Sequence, residues 1–383
     1  MQELIAKIHW LLERREDAYP VQDQSYRELI EAIAQLTELL LHQVKEISDT
    51  WKPDPQLVKK THEFIEQPVF ICGAMKTGTT LLTRLLDNHP SLLVMPGDSH
   101  YYTNFRKFSG DYADLCHYWM QRLVNPTGQC PFWFLGESID SYIKFLLYLN
   151  YFLKTDYDTF QSVVAAVFCA NPNRSMSTRY WVEKKPENEW YVQWLVKRFP
   201  RAKFLHIVRN PLPNIASIKK LNEFKAIPFR AISYSVRLKH LMKLGVDNLE
   251  SLGNGTYKII RYEDLLSEPE KEISALAAHL DIQIDTNLTI PSENGVPAKA
   301  NSMYAANRIT GSIAGWGDDK KWKSMLTQKE KEEIVTVLFS QAVSKDYEYW
   351  SDEEIRAFRK SSNLRGLWIT LLARVIAFKQ RFA

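Results

Sequence analysis

The sequence predicts an α/β fold in which a parallel β-sheet is flanked by helices. Three short apolar runs are predicted strands, and they are Val69–Cys72, Phe204–Val208 and Lys258–Ile260. Helical patterns alternate with these runs, at Thr79–Asn88, Glu189–Phe199 and Glu268–His279. Short apolar strands that alternate with helices are typical of parallel sheets. Because such sheets bind ligands at the carboxyl ends of their strands, functional residues are expected directly after each strand.

The pattern divides the chain into three parts. Residues 1–65 carry helical stripes of Leu and Ile and form a predicted N-terminal helical appendage, which either packs on the core or offers a dimer or partner surface. Residues 66–345 form the predicted α/β domain, and residues 346–383 a C-terminal helical segment.

Composition sets limits on the function. The chain has 383 residues, 45% of them hydrophobic, and a net charge of +4, which suits an anionic ligand but is too weak to indicate nucleic acid. The cysteines lack the spacing of a zinc site or a disulfide framework, so no metal is expected; they are Cys72, Cys116, Cys130 and Cys169. No run of apolar residues is long enough for a signal peptide or a membrane span, so a cytoplasmic location is expected.

A loop rich in hydrogen-bond donors follows the first predicted strand. It reads Gly73-Ala-Met-Lys-Thr-Gly-Thr-Thr80 and leads into a helix, an arrangement that points backbone N–H groups at one place and binds anions. The nucleotide-triphosphate loop has Lys directly after its second Gly, whereas here Thr79 follows Gly78 and Lys76 lies inside the loop.

This K-x-G-T-T loop resembles the 5′-phosphosulfate loop of sulfotransferases, which use 3′-phosphoadenosine 5′-phosphosulfate (PAPS) as donor. The resemblance runs through residues 66–345 and is closest to the bacterial and tyrosylprotein branch, with its P-loop-like fold. It implies that the donor's 5′-phosphate contacts Lys76, Thr77, Gly78, Thr79 and Thr80.

Three later segments resemble the family's other donor contacts. Arg209 and Ser217, in a stretch that begins R-N-P, match the 3′-phosphate motif, and a guanidinium gives paired hydrogen bonds to a phosphate. Tyr262, in Y-E-D-L, would lie against adenine, or is a core tyrosine. Arg308 and Gly311 partly match the Gly-rich loop that closes over the 3′-phosphate.

The catalytic residues are also implied by the resemblance. Lys184, in E-K-K-P-E, would face the sulfuryl oxygens together with Lys76, whereas Pro186 occupies the place of the catalytic His of cytosolic relatives. The proton acceptor would therefore be Asp98 or His100, which follow an H-P segment; Asp98 could instead be a helix cap.

The predicted activity is transfer of a sulfuryl group from PAPS to a hydroxyl of a small-molecule, lipid or natural-product acceptor, without a metal. The alternatives are a P-loop kinase or another NTPase, and an inactive nucleotide-binding partner protein. The aromatic-rich residues 100–180 either belong to the core or wall the acceptor pocket. Oligomeric state stays open.

The C-terminal residues 364–383 combine apolar residues at helical spacing with basic ones. This segment either docks on the core or on the N-terminal helices, or it is an interfacial helix that holds the protein at an anionic membrane or a lipidic acceptor, which would be a peripheral membrane contact. It is too short and too charged to span a bilayer.

Overall fold

The α/β fold predicted from the sequence is confirmed. The computed structural model describes residues 1–13, 24–98, 111–124, 133–298, 313, 322–338, 347, 349 and 363–380. Its main sheet has five parallel strands, β1 (Pro68–Gly73), β2 (Leu92–Asp98), β3 (Tyr180–Lys184), β4 (Lys203–Val208) and β5 (Tyr257–Arg261). Their order is β2-β3-β1-β4-β5, so the anion loop leaves the central strand. Strands β2 and β3 were not predicted.

The central strand shows why the sheet is covered on both sides. All six residues of β1 are buried, as is usual for a strand of a parallel sheet. Phe70 and Cys72 belong to the hydrophobic cluster on one face, whereas Val69 and Ile71 belong to the cluster on the other.

One face is covered by helices from the first half of the chain. They are α1 (Gln2–Glu13), α2 (Gln24–Ile47), α3 (Pro55–Phe64), α5 (Tyr112–Val124), α6 (Ile139–Phe152), α7 (Thr159–Ala170) and α8 (Val192–Arg198). Residues of α1 and α2, such as Ile8 and Leu36, are part of the same buried cluster as Phe70. The N-terminal helices therefore pack on the core, while the domain boundaries at residues 65 and 345 stay predictions.

The other face carries α4 (Thr79–Leu86) and α12 (Pro269–Leu280), which share one cluster with the sheet. Beyond β4 lie α9 (Pro211–Phe224), α10 (Ala231–Leu252) and α14 (Gln328–Leu338), which share a third cluster. The remaining elements of the described residues are α11 (Tyr262–Ser267), the hairpin β6 (Ser292–Glu293) and β7 (Val296–Pro297), α13 (Trp322–Met325), α15 (Asn363–Gln380) and two 3₁₀ helices (Pro186–Tyr191 and Thr286–Thr289).

Two further findings concern predictions from the sequence. Cys72, Cys116 and Cys169 are buried free thiols, and Cys130 lies outside the described residues. Within the described ranges, none of the helices combines the length and the hydropathy that crossing a bilayer requires.

Candidate active site

The carboxyl ends of the five strands bring the predicted residues together in one row. In sheet order these ends carry Asp98 on β2, Lys184 on β3, the loop after β1, Arg209 after β4 and Tyr262 after β5. Because neighbouring strands are roughly 5 Å apart, the row extends over about 20 Å. It is long enough for an extended ligand with anionic groups at separate positions.

The anion loop takes the sharp course that its sequence predicts. Lys76 adopts a φ of 67° and Gly78 a φ of 111°, so the backbone turns through left-handed conformations before α4 begins. The Thr77 hydroxyl donates to the Ala74 carbonyl at 2.7 Å and braces the turn from inside. Gly78 is the N-cap of α4 and has no side chain to cap the first N–H groups of the helix. These groups carry partial positive charge, which attracts an anion.

Tight packing beneath the loop explains both glycines. A Cβ on Gly73 would lie 2.5 Å from the Ile207 carbonyl oxygen, and a Cβ on Gly78 would lie 2.4 Å from Cδ2 of Tyr262. The loop lies directly on β4 and on the Tyr262 ring, and this close contact leaves no room for a side chain at either position.

Positive charge is concentrated at the loop. The pKa of Lys76 is lowered to about 8, first by burial of the side chain and second by the nearby cations Lys225, Lys184 and Arg209. A bound anion would offset the repulsion between these cations and would favour the protonated form of Lys76. Lys225, the C-cap of α9, was not predicted from the sequence, where it stands eight residues after Ser217.

Arg209 and Tyr262 form a pair under the loop. The Arg209 guanidinium lies over the Tyr262 ring, 4.4 Å from its centroid, and its Nη1 donates to the Lys76 carbonyl oxygen at 3.5 Å. Tyr262 is only 4% exposed, so most of its ring already contacts protein. Its predicted place against an adenine stays a prediction.

Helix α9 approaches the loop from the side through Asn214. The Asn214 amide donates to the Met75 carbonyl at 2.9 Å, and Ser217 follows one turn later on the same face of the helix. Asn210 caps the helix by accepting from the Leu212 N–H, while its own N–H donates to Glu263 at 2.8 Å. Asn214 and Glu263 were not predicted, although Glu263 stands in the Y-E-D-L segment.

Lys184 and Asp98 form an ion pair at the adjacent strand ends. The Lys184 side chain is 3% exposed and that of Asp98 is 31% exposed, so the carboxylate is the open side of the pair. The Arg122 guanidinium also donates to the Asp98 backbone carbonyl, at 2.7 Å. The sequence analysis named Lys184 and Asp98 as site residues on separate grounds, and the structure brings the two side chains into contact.

An irregularity in β2 explains this pairing. Val94 pairs with Val182 and Asp98 with Lys184, so four steps along β2 match two along β3. The extra residues include Pro96, which has no N–H for a sheet bond, and Gly97, whose φ is 63°. The bulge places Asp98 opposite Lys184.

Several predicted residues lie outside the described ones. These are His100, Arg308 and Gly311, and their roles stay predictions.

A shallow cleft opens beside Lys184 and runs along α4. Thr80, Thr83, Arg84 and Asp87, at spacings of three and four residues, form its wall on the helix. Its apolar lining comes from Val94, Met95 and Phe134. Of the aromatic-rich segment, Phe134 lines this cleft, whereas residues such as Trp119 and Tyr142 are buried in the core.

The far wall of the cleft is the β6–β7 hairpin, which was not predicted. Its turn is Asn294-Gly295, both with positive φ (51° and 77°), as two-residue hairpin turns favour. Glu293 forms an ion pair with Arg84, and Asp87 accepts from the Ser292 hydroxyl at 2.7 Å. The Asn-Gly pair in the sequence is the feature from which this hairpin turn could have been predicted.

The described residues contain no group of three or more His, Cys, Asp and Glu side chains that could hold a metal ion. That the reaction needs no metal stays a prediction.

A five-stranded parallel sheet with an anion loop after its central strand is a framework that binds an anionic ligand at the carboxyl ends of its strands. The chain belongs to the sulfotransferase family, whose model matches residues 68–286. The family predicted from the sequence motifs is thereby confirmed. No curated protein matches the chain.

Solved sulfotransferase structures resemble the chain at low sequence identity. The sulfotransferase domain of the olefin synthase of Synechococcus PCC 7002 is 17% identical, with a TM-score of 0.40, over 73% of this chain and 92% of that one. The Alicyclobacillus acidocaldarius sulfotransferase is 16% identical, with a TM-score of 0.42, over 76% and 98%. Mouse SULT7A1, solved in complex with PAP, is 13% identical, with a TM-score of 0.36, over 81% and 94%.

Proposed function

We propose that this chain transfers the sulfuryl group of PAPS to a hydroxyl group of a largely apolar, uncharged small molecule, lipid or natural product. The observation that carries the proposal is the concentration of cations at the anion loop. Lys225, Lys184 and Arg209 are close enough to Lys76 to disfavour its protonation, and the Asp98 carboxylate stands at the edge of this group.

The donor set fits PAPS by its chemistry. The loop offers the Lys76 ammonium, the uncapped N–H groups of α4 and threonine hydroxyls for the 5′-phosphate. Arg209 and Ser217, one strand along the sheet, would hold the 3′-phosphate. Glycine at positions 73 and 78 lets the backbone itself form the floor of the site, where any Cβ would collide.

When bound, PAPS supplies the sulfuryl group, whose bond to the 5′-phosphate oxygen breaks as its bond to the acceptor oxygen forms. Lys76 and Lys184 stabilise the negative charge that develops around the transferred group, which is where preorganised cations act most strongly. Asp98 accepts the proton of the acceptor hydroxyl. Lys184 holds the Asp98 carboxylate in place through their ion pair.

The cleft beside Lys184 supports the acceptor class. Its charged wall residues are paired with protein groups: Arg84 with Glu293, Lys184 with Asp98, and Asp87 with Ser292. An acceptor would meet mainly Val94, Met95 and Phe134, so an uncharged molecule with one hydroxyl near Asp98 suits it. No role for nucleic acid is proposed, and a cytoplasmic location stays a prediction.

Ligand-dependent unfolding tests the donor. Adenosine 3′,5′-bisphosphate at about 100 times its Kd should stabilise the fold by about 2.7 kcal/mol. ATP with magnesium should stabilise it much less, because ATP has no 3′-phosphate for Arg209 and Ser217. A larger effect of ATP would favour a kinase or NTPase and overturn the proposal.

Activity separates the proposal from an inactive binding protein. The chain is incubated with PAPS carrying a ³⁵S label and a panel of uncharged hydroxyl compounds, and labelled products are identified by mass spectrometry. The Asp98→Asn variant is the matched control. Label transfer that is equal in both proteins would show that Asp98 is not the base.

A further inference from the structure

Helix α15 has two faces that differ in their surroundings. Ile369, only 1% exposed, packs with Ile232, Val236 and Val337 of α10 and α14. The partly buried residues of the same inner face are Leu372, Ala373, Ile376 and Ala377. This face docks the helix on the core, as one of the two sequence-based hypotheses predicts.

The outer face is apolar and open. Trp368 is 60% exposed, Leu371 62% and Val375 47%. Their spacings of three and four residues place them in one stripe along the helix. An exposed stripe of large apolar residues next to a docked face indicates a surface that a partner covers.

The charges of the helix identify the kind of partner. From residue 363 to the end of the sequence the basic residues are Arg365, Arg374, Lys379 and Arg381, and Asp and Glu are absent. Arg374 is exposed and stands beside Leu371 and Val375. Apolar bulk flanked by basic residues complements an anionic lipid surface. In a symmetric dimer through this face, the same positive charges would oppose each other.

A second group of exposed aromatic residues lies in the segment after β3 and contacts α10 through Trp190. The Trp190 ring packs at a tilt against the ring of His240, with centroids 4.6 Å apart, and His240 follows Val236 by one helical turn. Trp190 is 42% exposed, and Tyr191 and Trp194 of the same segment are 41% and 49% exposed. Tryptophan and tyrosine favour the interface between water and lipid, because their rings are apolar and their N–H or O–H groups are polar.

We propose that the outer face of α15 is a docking surface for an anionic bilayer, on which the helix lies in the plane of the headgroups. The inner face keeps the helix attached to α10 and α14, so the whole enzyme is held at the membrane. This inference does not depend on the donor or on the acceptor.

Vesicle co-sedimentation tests the docking surface with the full chain. The probes are 100 nm vesicles of phosphatidylcholine alone and of phosphatidylcholine with an equal amount of phosphatidylglycerol. The unmodified chain should sediment with the anionic vesicles and much less with the neutral ones. The double variant Trp368→Ser, Leu371→Ser should bind about a hundredfold more weakly, since each inserted side chain contributes about tenfold. Arg374→Glu should weaken binding to the anionic vesicles alone.

The control is Ile284→Ser, because Ile284 is 66% exposed on another part of the surface, after α12. It should leave vesicle binding unchanged. Circular dichroism checks that each variant stays folded, which is expected since both substituted positions are open to solvent. Equal sedimentation of the double variant and the control would overturn the proposal. So would a dimer, seen by light scattering, that the double variant abolishes without any vesicle binding by the unmodified chain.

Discussion

Lys76 shows at the residue scale how charge crowding shapes the site. Its pKa of about 8 results from burial first and from Lys225, Lys184 and Arg209 second. The value lies below the usual 10.5, so the unfolded chain binds more protons than the folded chain between about pH 8 and 10.5. In that window Lys76 makes the ligand-free protein more stable as pH rises.

Bisphosphate affinity should therefore fall as the pH rises through about 8, because Lys76 must carry a proton to attract the 5′-phosphate. Calorimetric titration from pH 6.5 to 9.5 measures this. Lys76→Arg should remove the decline, because a guanidinium stays charged throughout. Lys76→Met should bind weakly at every pH. An unchanged decline in Lys76→Met would assign the titrating group elsewhere.

The Asp98→Asn substitution tests the proton acceptor. It keeps the shape of the side chain and removes its basicity, so turnover should fall by about 10²–10⁴ while bisphosphate affinity is retained. Asp156→Asn, at an exposed position, is the control and should keep full turnover. Near-normal activity of Asp98→Asn would direct attention to His100, the other base predicted from the sequence.

At the scale of elements, the loop and the helix after it work as one unit. Gly78 ends the loop, begins α4 and rests on Tyr262 of α11. Its φ of 111° is open to glycine, and the Tyr262 ring leaves no room for a side chain. The contact between Gly78 and Tyr262 also fixes the start of α4, and with it the position of the first backbone N–H groups of that helix.

Gly78→Ala should lower both stability and bisphosphate affinity, because the new Cβ would lie 2.4 Å from the Tyr262 ring. Gly136→Ala is the control: its φ is also positive (78°), but a Cβ there would meet only Pro172 Cγ, at an ordinary contact distance of 3.7 Å. The control should lose about 1 kcal/mol from backbone conformation alone. Gly78→Ala should lose about 1–3 kcal/mol more, from overpacking. Equal losses in urea denaturation would contradict the packing argument.

The hairpin that walls the cleft is fixed to α4 by two contacts, Arg84 with Glu293 and Asp87 with Ser292. Glu293→Gln should lower the free energy of unfolding by about 1.5–3 kcal/mol, because the buried Arg84 guanidinium loses its charged hydrogen bond to Glu293. The KM for the acceptor should rise while bisphosphate affinity stays constant. The reason is that Arg209 follows β4, which is separated from the cleft beside β3 by the central strand β1. Glu250→Gln, on the exposed part of α10, is the control. A loss of bisphosphate affinity would show that the hairpin supports the donor site instead.

At the scale of the whole molecule, a buried polar network joins distant parts of the chain. The Glu189 carboxylate accepts from the Tyr257 hydroxyl at 2.8 Å and from the Asn248 amide at 2.7 Å, and it contacts His206 Nδ1. These residues come from β4, β5, α10 and the segment after Lys184. The network connects the segment that follows Lys184 with β4, the strand that precedes Arg209.

Tyr257→Phe should lower the free energy of unfolding by about 1–3 kcal/mol, because the buried Glu189 carboxylate loses one of the hydrogen bonds that it accepts. Tyr151→Phe on the half-buried side of α6 is the comparison and should change stability by a few tenths of a kcal/mol. Urea denaturation of the two variants measures the difference. Equal losses would mean that the hydroxyl of Tyr257 contributes nothing specific.

The sequence alone determined the features that depend on local chemistry. Glycine and threonine around Lys76 predicted the anion loop, and the apolar runs predicted β1, β4 and β5. Strands β2 and β3 were missed because each has polar or irregular positions: β2 contains Pro96-Gly97, and β3 ends in Glu183-Lys184. Burial of Glu183 and Lys184 depends on partners that come from other segments.

Only the tertiary structure decided which residues meet. Asp98 and Lys184 are 86 residues apart, and they pair because parallel strands place their carboxyl ends at one edge. Arg84 and Glu293 are 209 residues apart and define a cleft wall that no local pattern indicates. Likewise, the periodicity of α15 predicted a helix but not which face docks, because that depends on the surface that α10 and α14 present. Local patterns reflect backbone preference and burial, whereas contacts between segments depend on how the whole chain packs.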